Sequence, residues 1–400
     1  MYLVSRLRVA GNRYAVRVLN FPKPFTFIGP DASLALCRTL ARSGAKRVMV
    51  ITDSLLFQLG LAGPVIAALE GAGVSVEVFS DVEPDPDYAV VLNGVDRLRR
   101  SGAGAVLAIG GGSSIDCAKA MVICHANDRH PSQLTGLWLY ALPRKRGLPL
   151  YAIPTTAGTG SEATTVAVVS DREARTKYAI VDPKLVPEFV ALDPKLTAGL
   201  PPAITAATGM DALTHAVESY LSTLAFPESD GYARSAAALI LQNLPTAWQD
   251  GRDLRAREDM LVASCLAGLA FSRAGVGYVH AFAHQMGGRY HVPHGLANAI
   301  ILPQVLDFSK SHCASRLAEL ASACGIGESG MDDMARAESL IARIRAMNAA
   351  MGIPATIEPL RREDFEAIID LAFAEAHGTY GLPRYMTRDD ARALLGKLLA

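Results

Sequence analysis

The sequence has little of what marks a nucleic-acid binder, a secreted protein or a membrane protein. Lysine plus arginine number 39 and aspartate plus glutamate number 39, so the formal net charge is zero. A nucleic-acid surface shows a basic excess and an anionic-membrane surface a polybasic patch, so neither partner is expected. No run approaches the roughly 18 uninterrupted apolar residues of a membrane-spanning helix. The opening stretch, MYLVSRLRVAGNRYAVRV, scatters arginines among its apolar positions. That breaks the apolar core of a secretory signal and predicts a cytoplasmic chain. The six cysteines, Cys37, Cys117, Cys124, Cys265, Cys313 and Cys324, include no CxxC pair. They read as scattered buried thiols, neither a disulfide frame nor a zinc finger. What remains is ordinary globular material: 400 residues, 50% apolar and 20% charged. That suffices for two or three domains at roughly 100–200 residues each.

Up to about residue 200, short apolar runs alternate with helical segments. KRVMVI (46–51), VSVEVF (74–79), AVLAI (105–109), YAIP (151–154) and YAIVD (178–182) read as strands. Helical stretches start near TDSLLFQLG, run from Tyr88 to Arg100, and follow from Ser113. Near-continuous apolar strands between helices indicate a parallel sheet covered on both faces. Beyond Leu200 the β-branched runs fade and alanine–leucine helical periodicity takes over. Pro201-Pro202 punctuates the change. Thr387-Arg388-Asp389-Asp390 signals a capping box for the last helix. The expectation is an α/β nucleotide-type domain over 1–200 and an all-helical domain over 201–400. Small ligands usually bind in a cleft between such domains.

Two loops in the first half carry chemistry. Ile109-Gly110-Gly111-Gly112-Ser113-Ser114-Ile115-Asp116 follows a strand and opens a helix. Glycines let backbone N–H groups approach a phosphate, and a helix N-terminus adds unpaired donors and a positive dipole end. The plainer reading is a tight turn with Ser113 as N-cap and Asp116 completing the cap. Pro154-Thr155-Thr156-Ala157-Gly158-Thr159-Gly160-Ser161-Glu162 packs hydroxyls and glycine after a second strand, which suits sugar and phosphate contacts. Open α/β sheets bind ligands at such strand ends. Asp53, ending a strand, suits ribose hydroxyls and disfavours a 2′-phosphate, or simply caps the next helix. Lys177, before YAIVD, suits ribose or phosphate, or is a solvated charge.

Histidines cluster in the second half. Four of the nine, His280, His284, His291 and His294, fall within fifteen residues. Asp211 and His215 stand at i and i+4, as do His280 and His284, and such pairs share one helix face. With His294, that gives five candidates for about four seats around one ion. A carboxylate with imidazoles suits Fe(II) or Zn(II), not calcium or magnesium. HAFAH lacks the glutamate of the peptidase HExxH pattern.

IGGGSSIDCAKA, PTTAGTGSE, KYAIVDPKLVP, ATGMDALTHAVESY and GYVHAFAHQMGGRYHVPHGLANAIILP, in this order, resemble the iron-dependent (group III) alcohol dehydrogenase family. The resemblance is strong from about Phe25 to Pro303. It implies a dinucleotide-binding α/β domain and a helical metal-binding domain, an architecture shared with dehydroquinate synthase. It implies Asp211, His215, His280 and His294 as metal ligands, with His284 as a neighbouring imidazole in proton relay. Gly111, Gly112, Ser113, Thr155, Thr156, Thr159, Lys177 and Leu196 fall on its cofactor positions. Asp116 and Ser161, within the same two motifs, are taken with them. Asp53 matches the acid favouring NAD over NADP, and Phe271 an aromatic beside nicotinamide and substrate. Asp85, in Pro84-Asp85-Pro86, stands where asparagine is usual near the adenosine. Arg273 stands where asparagine is expected, and tilts the substrate slightly toward an acid. The family suggests a homodimer or larger assembly.

The expected function is reversible hydride transfer between a small alcohol or aldehyde and NAD, with a metal as Lewis acid. The alternatives are a metal-hydroxide hydrolase and an NAD-using sugar-phosphate lyase or cyclase. A nucleotide sensor would have no need of the metal set.

Overall fold

The computed structural model describes residues 21–135, 144–172 and 176–400. The leading twenty residues, given no function from sequence, lie outside them. The described residues divide into two compact units, Phe21–Gly199 and Leu200–Ala400.

The first unit runs β1 (Phe25–Ile28), α1 (Ala32–Arg42), β2 (Arg47–Asp53), α2 (Ser54–Gln58), α3 (Gly63–Gly71), β3 (Ser75–Val82), α4 (Tyr88–Ser101), β4 (Ala105–Gly110), α5 (Gly112–Asn127), β5 (Leu150–Pro154), β6 (Val166–Asp171), β7 (Thr176–Val181) and β8 (Phe189–Leu192). Six strands form one sheet in the order β1-β8-β5-β4-β2-β3. Every pairing in it is parallel. The central strands β4 and β5 are buried at every residue. Helices cover both faces of such a sheet, so its inner strands show no polar alternation. Val48, Val50, Leu107, Ile109, Tyr151 and Ile153 meet Leu36 and Leu40 of α1 and Leu69 of α3 in one cluster. Truncating one such leucine to alanine costs about 2–5 kcal/mol.

YAIVD is a strand, but not of this sheet. As β7 it pairs antiparallel with β6 in a separate two-stranded ribbon. Strand β6 alternates in burial, with Val168 exposed between buried Ala167 and Val169. That is the pattern of a half-covered antiparallel pair.

The second unit runs α6 (Pro202–Leu221), α7 (Pro227–Gln249), α8 (Leu254–Ala274), α9 (Tyr278–Tyr290), α10 (His294–Ala323), α11 (Asp333–Ala350), α12 (Phe365–Ala376) and α13 (Arg388–Leu398). Pro202 sits in the first turn of α6, where its missing N–H costs nothing. From Gly209 to Leu221 α6 is buried all round, enclosed by α7, α8 and α10. Thr387 caps α13, accepting from the Asp390 N–H while Asp390 accepts from the Thr387 N–H. No single helix among the described residues is long and apolar enough to cross a membrane. All six cysteines are free thiols.

Candidate metal centre and dinucleotide surface

In the helical unit the ligand candidates come from three helices. Asp211 and His215 lie one turn apart on α6. His280 lies in the first turn of α9, and His294 opens α10. One ligand atom each from Asp211, His215 and His280 lies within 4.8 Å of the others, and all three residues are buried. Asp211 Oδ1 is 3.8 Å from His280 Nε2 and 3.5 Å from His294 Nε2. A tetrahedral ion with bonds of about 2.1 Å places its ligand atoms about 3.4 Å apart. The carboxylate and the two imidazoles of Asp211, His215 and His280 suit a borderline divalent ion, with His294 beside Asp211 but outside that mutually close group.

A further layer fixes these groups. His280 Nδ1 donates to Glu218 Oε2 at 2.7 Å. Glu218, two turns along α6 from Asp211, also accepts from the Gly277 and Val279 N–H groups at 2.8 and 2.7 Å. A Cβ on Gly277 would stand 2.7 Å from Glu218 Oε1, so only glycine lets the carboxylate seat. Burial pushes the Glu218 carboxyl up to about 7 against the pull of the Gly277, Val279 and His280 backbone N–H groups. Burial, then the imidazoles of His215, His294 and His284, hold His280 well below its ordinary value. His280 is therefore neutral, with Nδ1 protonated and Nε2 toward the cage, as ligation requires. Asn298, one turn after His294, donates Nδ2 to Asp211 Oδ1 at 2.6 Å and lies 3.2 and 3.1 Å from Nε2 of His280 and His294.

His284 lies beside the cage. Its ring stacks on His294 at 5.3 Å and stands edge-on to His280 at 5.9 Å. Its Nδ1 meets Glu375 Oε1 at 2.7 Å, and Tyr380 donates to the same oxygen at 2.5 Å. Burial raises the Glu375 carboxyl, but neighbouring His284 and the Tyr380 bond bring it below its ordinary value. Phe271 stacks on His215, with centroids 4.2 Å apart.

In the α/β unit the two loops touch at the C-terminal ends of adjacent strands. Thr155 N donates to Gly110 O at 3.0 Å. A Cβ on Gly112 would lie 2.7 Å from Thr159 Cγ2, and one on Gly111 3.3 Å from Thr156 Oγ1. Helix α5 starts at Gly112 with Gly111 as its N-cap, and no side chain caps it. Ser113 is therefore not the cap; its Oγ accepts from the Asp85 N–H at 3.3 Å. Asp85 holds a left-handed backbone, φ 54°, and its Oδ1 meets Lys177 Nζ at 2.5 Å. Asp116 does not complete a cap either. Its two oxygens accept from Ser161 Oγ and from the Val168 N–H, so Asp116 and Ser161 brace the threonine loop from behind. Asp53 caps α2, accepting from the Leu56 N–H at 2.9 Å. Leu196 lies in a short turn past β8 and packs on the sheet core.

Comparison with known proteins meets this geometry. Residues 23–194 match the iron-containing alcohol dehydrogenase family and residues 205–399 the Fe-containing alcohol dehydrogenase family, C-terminal. The chain is 37% identical over 379 residues to alcohol dehydrogenase 4 of Saccharomyces cerevisiae (strain YJM789), covering 94% of this chain and 96% of that one. The chain belongs to the iron-containing alcohol dehydrogenase family. It is 36% identical over 381 residues to an NAD-dependent methanol dehydrogenase of Bacillus methanolicus, covering 95% and 99% of the two chains. A crystal structure of 1,3-propanediol oxidoreductase superposes with a TM-score of 0.91 at 35% identity, covering 95% of this chain and 100% of that one. The protein is thus an oxidoreductase of the alcohol dehydrogenase kind, and these relatives lend no support to a hydrolase or a lyase.

Some residues that touch the candidate site are not picked out from the sequence. Glu218 is at i+7 from Asp211 and Asn298 at i+4 from His294, so helical spacing carries a signal for both. Glu375 is 91 residues from His284, and nothing local points to it. Arg273 is engaged by its own neighbours. Its Nη1 meets Glu228 Oε2 at 2.6 Å, and its guanidinium lies 4.4 Å over the Phe226 ring.

Proposed function

We propose that the dehydrogenase transfers hydride reversibly between a small alcohol and NAD, with NADP the poorer partner, using an iron(II) or zinc ion held by Asp211, His215, His280 and His294. The convergence of buried Asp211, His215 and His280 carries this reading. Such an ion supplies Lewis-acid chemistry at the alcohol or carbonyl oxygen, and nicotinamide supplies the hydride acceptor. Glu218 orients His280 by holding its Nδ1 proton. Phe271 walls the His215 side of the site and excludes water. His284, held at Nδ1 by Glu375, carries the proton the alcohol releases. In the α/β unit, Gly111, Gly112 and Ser113 at the start of α5 cradle pyrophosphate with Thr155, Thr156 and Thr159. Lys177 and Asp85 serve the ribose side, Leu196 packs against the cofactor, and Asp53 repels a 2′-phosphate. Asp116 and Ser161 serve the cofactor only by supporting the loop.

The free thiols fit a cytoplasmic setting, where thiols stay reduced. For assembly we propose a homodimer or larger, supported by exposed Phe25 and Ile28 on the edge strand β1.

Anaerobically metal-loaded protein tested against alcohols and aldehydes, with NADH absorbance as readout, is the direct experiment. The His280→Ala variant should lose its metal and more than about 100-fold of its activity. Retention of both overturns the ligand assignment.

A further inference from the structure

The loop after α12 reaches back toward the ligand candidates. Tyr380 N donates to Ala376 O at 3.0 Å, which turns the chain at the helix end. Gly381 O accepts from the Thr223 N–H at 2.8 Å. A Cβ on Gly381 would lie 2.2 Å from Ser222 Oγ and 2.8 Å from Leu224 N, so only glycine passes here. Ser222 directly follows α6, the helix that carries Asp211, His215 and Glu218. The loop is thus bolted to the end of that helix, and its position is set from two sides.

What the loop delivers is the Tyr380 hydroxyl. It donates to Glu375 Oε1 at 2.5 Å, the same oxygen that takes His284 Nδ1 at 2.7 Å. Gln285 Nε2 donates to the other oxygen, Oε2, at 3.3 Å. An ionised carboxylate only accepts. With both oxygens engaged by groups on two elements, the carboxylate is left one orientation. Burial, then the Glu375 carboxylate, hold the Tyr380 hydroxyl well above its ordinary value, so it keeps its proton and remains a donor. A histidine held by an acid gains a fixed tautomer, and the acid steadies the imidazolium formed when the ring takes up a proton. Here the acid is itself held.

We propose that Tyr380 is a positioning residue for proton transfer: by fixing the Glu375 carboxylate it keeps the His284 ring turned so that Nε2, across the ring from the held Nδ1, takes the proton the alcohol releases. This rests on the function proposed above. There the C–H electron pair leaves the alcohol as hydride to nicotinamide, the O–H proton goes to His284, and the electrons left on oxygen close the carbonyl.

The test compares full-length, metal-loaded wild type, Tyr380→Phe, His284→Gln and the double variant. The single-turnover rate of NADH formation reads the chemical step, and NADH affinity, alcohol KM and metal content are measured alongside. His284→Gln should slow the step about 100-fold or more. Tyr380→Phe, which keeps the ring, should slow it roughly tenfold, with NADH affinity, alcohol KM and metal content unchanged. In the His284→Gln background the same change should cost nothing further, since residues that act as a unit are not additive. A wild-type rate in Tyr380→Phe overturns the proposal. An equal loss in both backgrounds overturns it too, because Tyr380 would then act without His284. So does a loss of metal or of NADH affinity in Tyr380→Phe. A wild-type rate in His284→Gln overturns the assignment of His284 as proton carrier, and this inference with it.

Discussion

A single carboxylate, Glu218, sets which nitrogen of His280 faces the candidate metal ligands. It accepts three donors at 2.7 to 2.8 Å. Glutamine has one acceptor oxygen and would turn an NH2 group toward at least one of them. Glu218→Gln should therefore weaken metal binding by about 10–100-fold, the usual cost of disturbing a partner of a metal-bound histidine. Competition with a chelator of known affinity measures it. A variant that holds metal as tightly as the wild type would show that His280 is not oriented through Nδ1. The ligand candidates are legible in sequence because helices repeat: Asp211 and His215 declare a shared face. Glu218 and Asn298 extend the same arithmetic by one more turn. Glu375 is not legible, because α12 is brought beside α9 by packing alone.

Among elements, the contact between the two phosphate-type loops decides most. Gly112→Ala would put a methyl 2.7 Å from Thr159 Cγ2. Thr159 is tied to Ser161, so the loop must shift or the helix start must back away. NADH affinity should fall about tenfold, with metal content unchanged. An unchanged affinity would mean that the two loops do not share one ligand. The inner strands announce themselves because burial on both faces leaves them continuously apolar. The edge strand β1 does not: four residues, three of them exposed, carry no such run. The YAIVD strand reads correctly as a strand, but its placement off the sheet depends on pairing with β6. Apolar content alone does not distinguish the two settings. Pro202 and the Thr387–Asp390 box mark helix starts because the same local chemistry operates in any fold.

Over the whole molecule the formal charges balance, and buried ionisable groups add a definite dependence of stability on pH. Glu162 is 1% exposed, and its Oε1 has no hydrogen-bond partner. Burial pushes its carboxyl from 4.5 up to about 7. Between those values the folded chain keeps a proton that the unfolded chain has released. Stability therefore falls as pH rises through that window. The fall is at most about 3 kcal/mol at 1.36 kcal/mol per pKa unit. Lys119 works in the opposite sense, because burial lowers it from 10.5 to about 8. Between about 8 and 10.5 the folded chain holds fewer protons than the unfolded one, and stability is regained. Together the two give a shallow minimum of stability just above neutrality. Glu162→Gln removes the fall below neutrality. Its amide also meets a site without a partner, which shifts stability by a constant of about 1–3 kcal/mol. The pH dependence of the difference is thus the decisive readout. In urea unfolding at several pH values, the variant should gain on the wild type steadily from about pH 4.5 to 7 and then level off. A difference that stays flat across that range would mean that Glu162 ionises in the folded protein as it does in the unfolded chain.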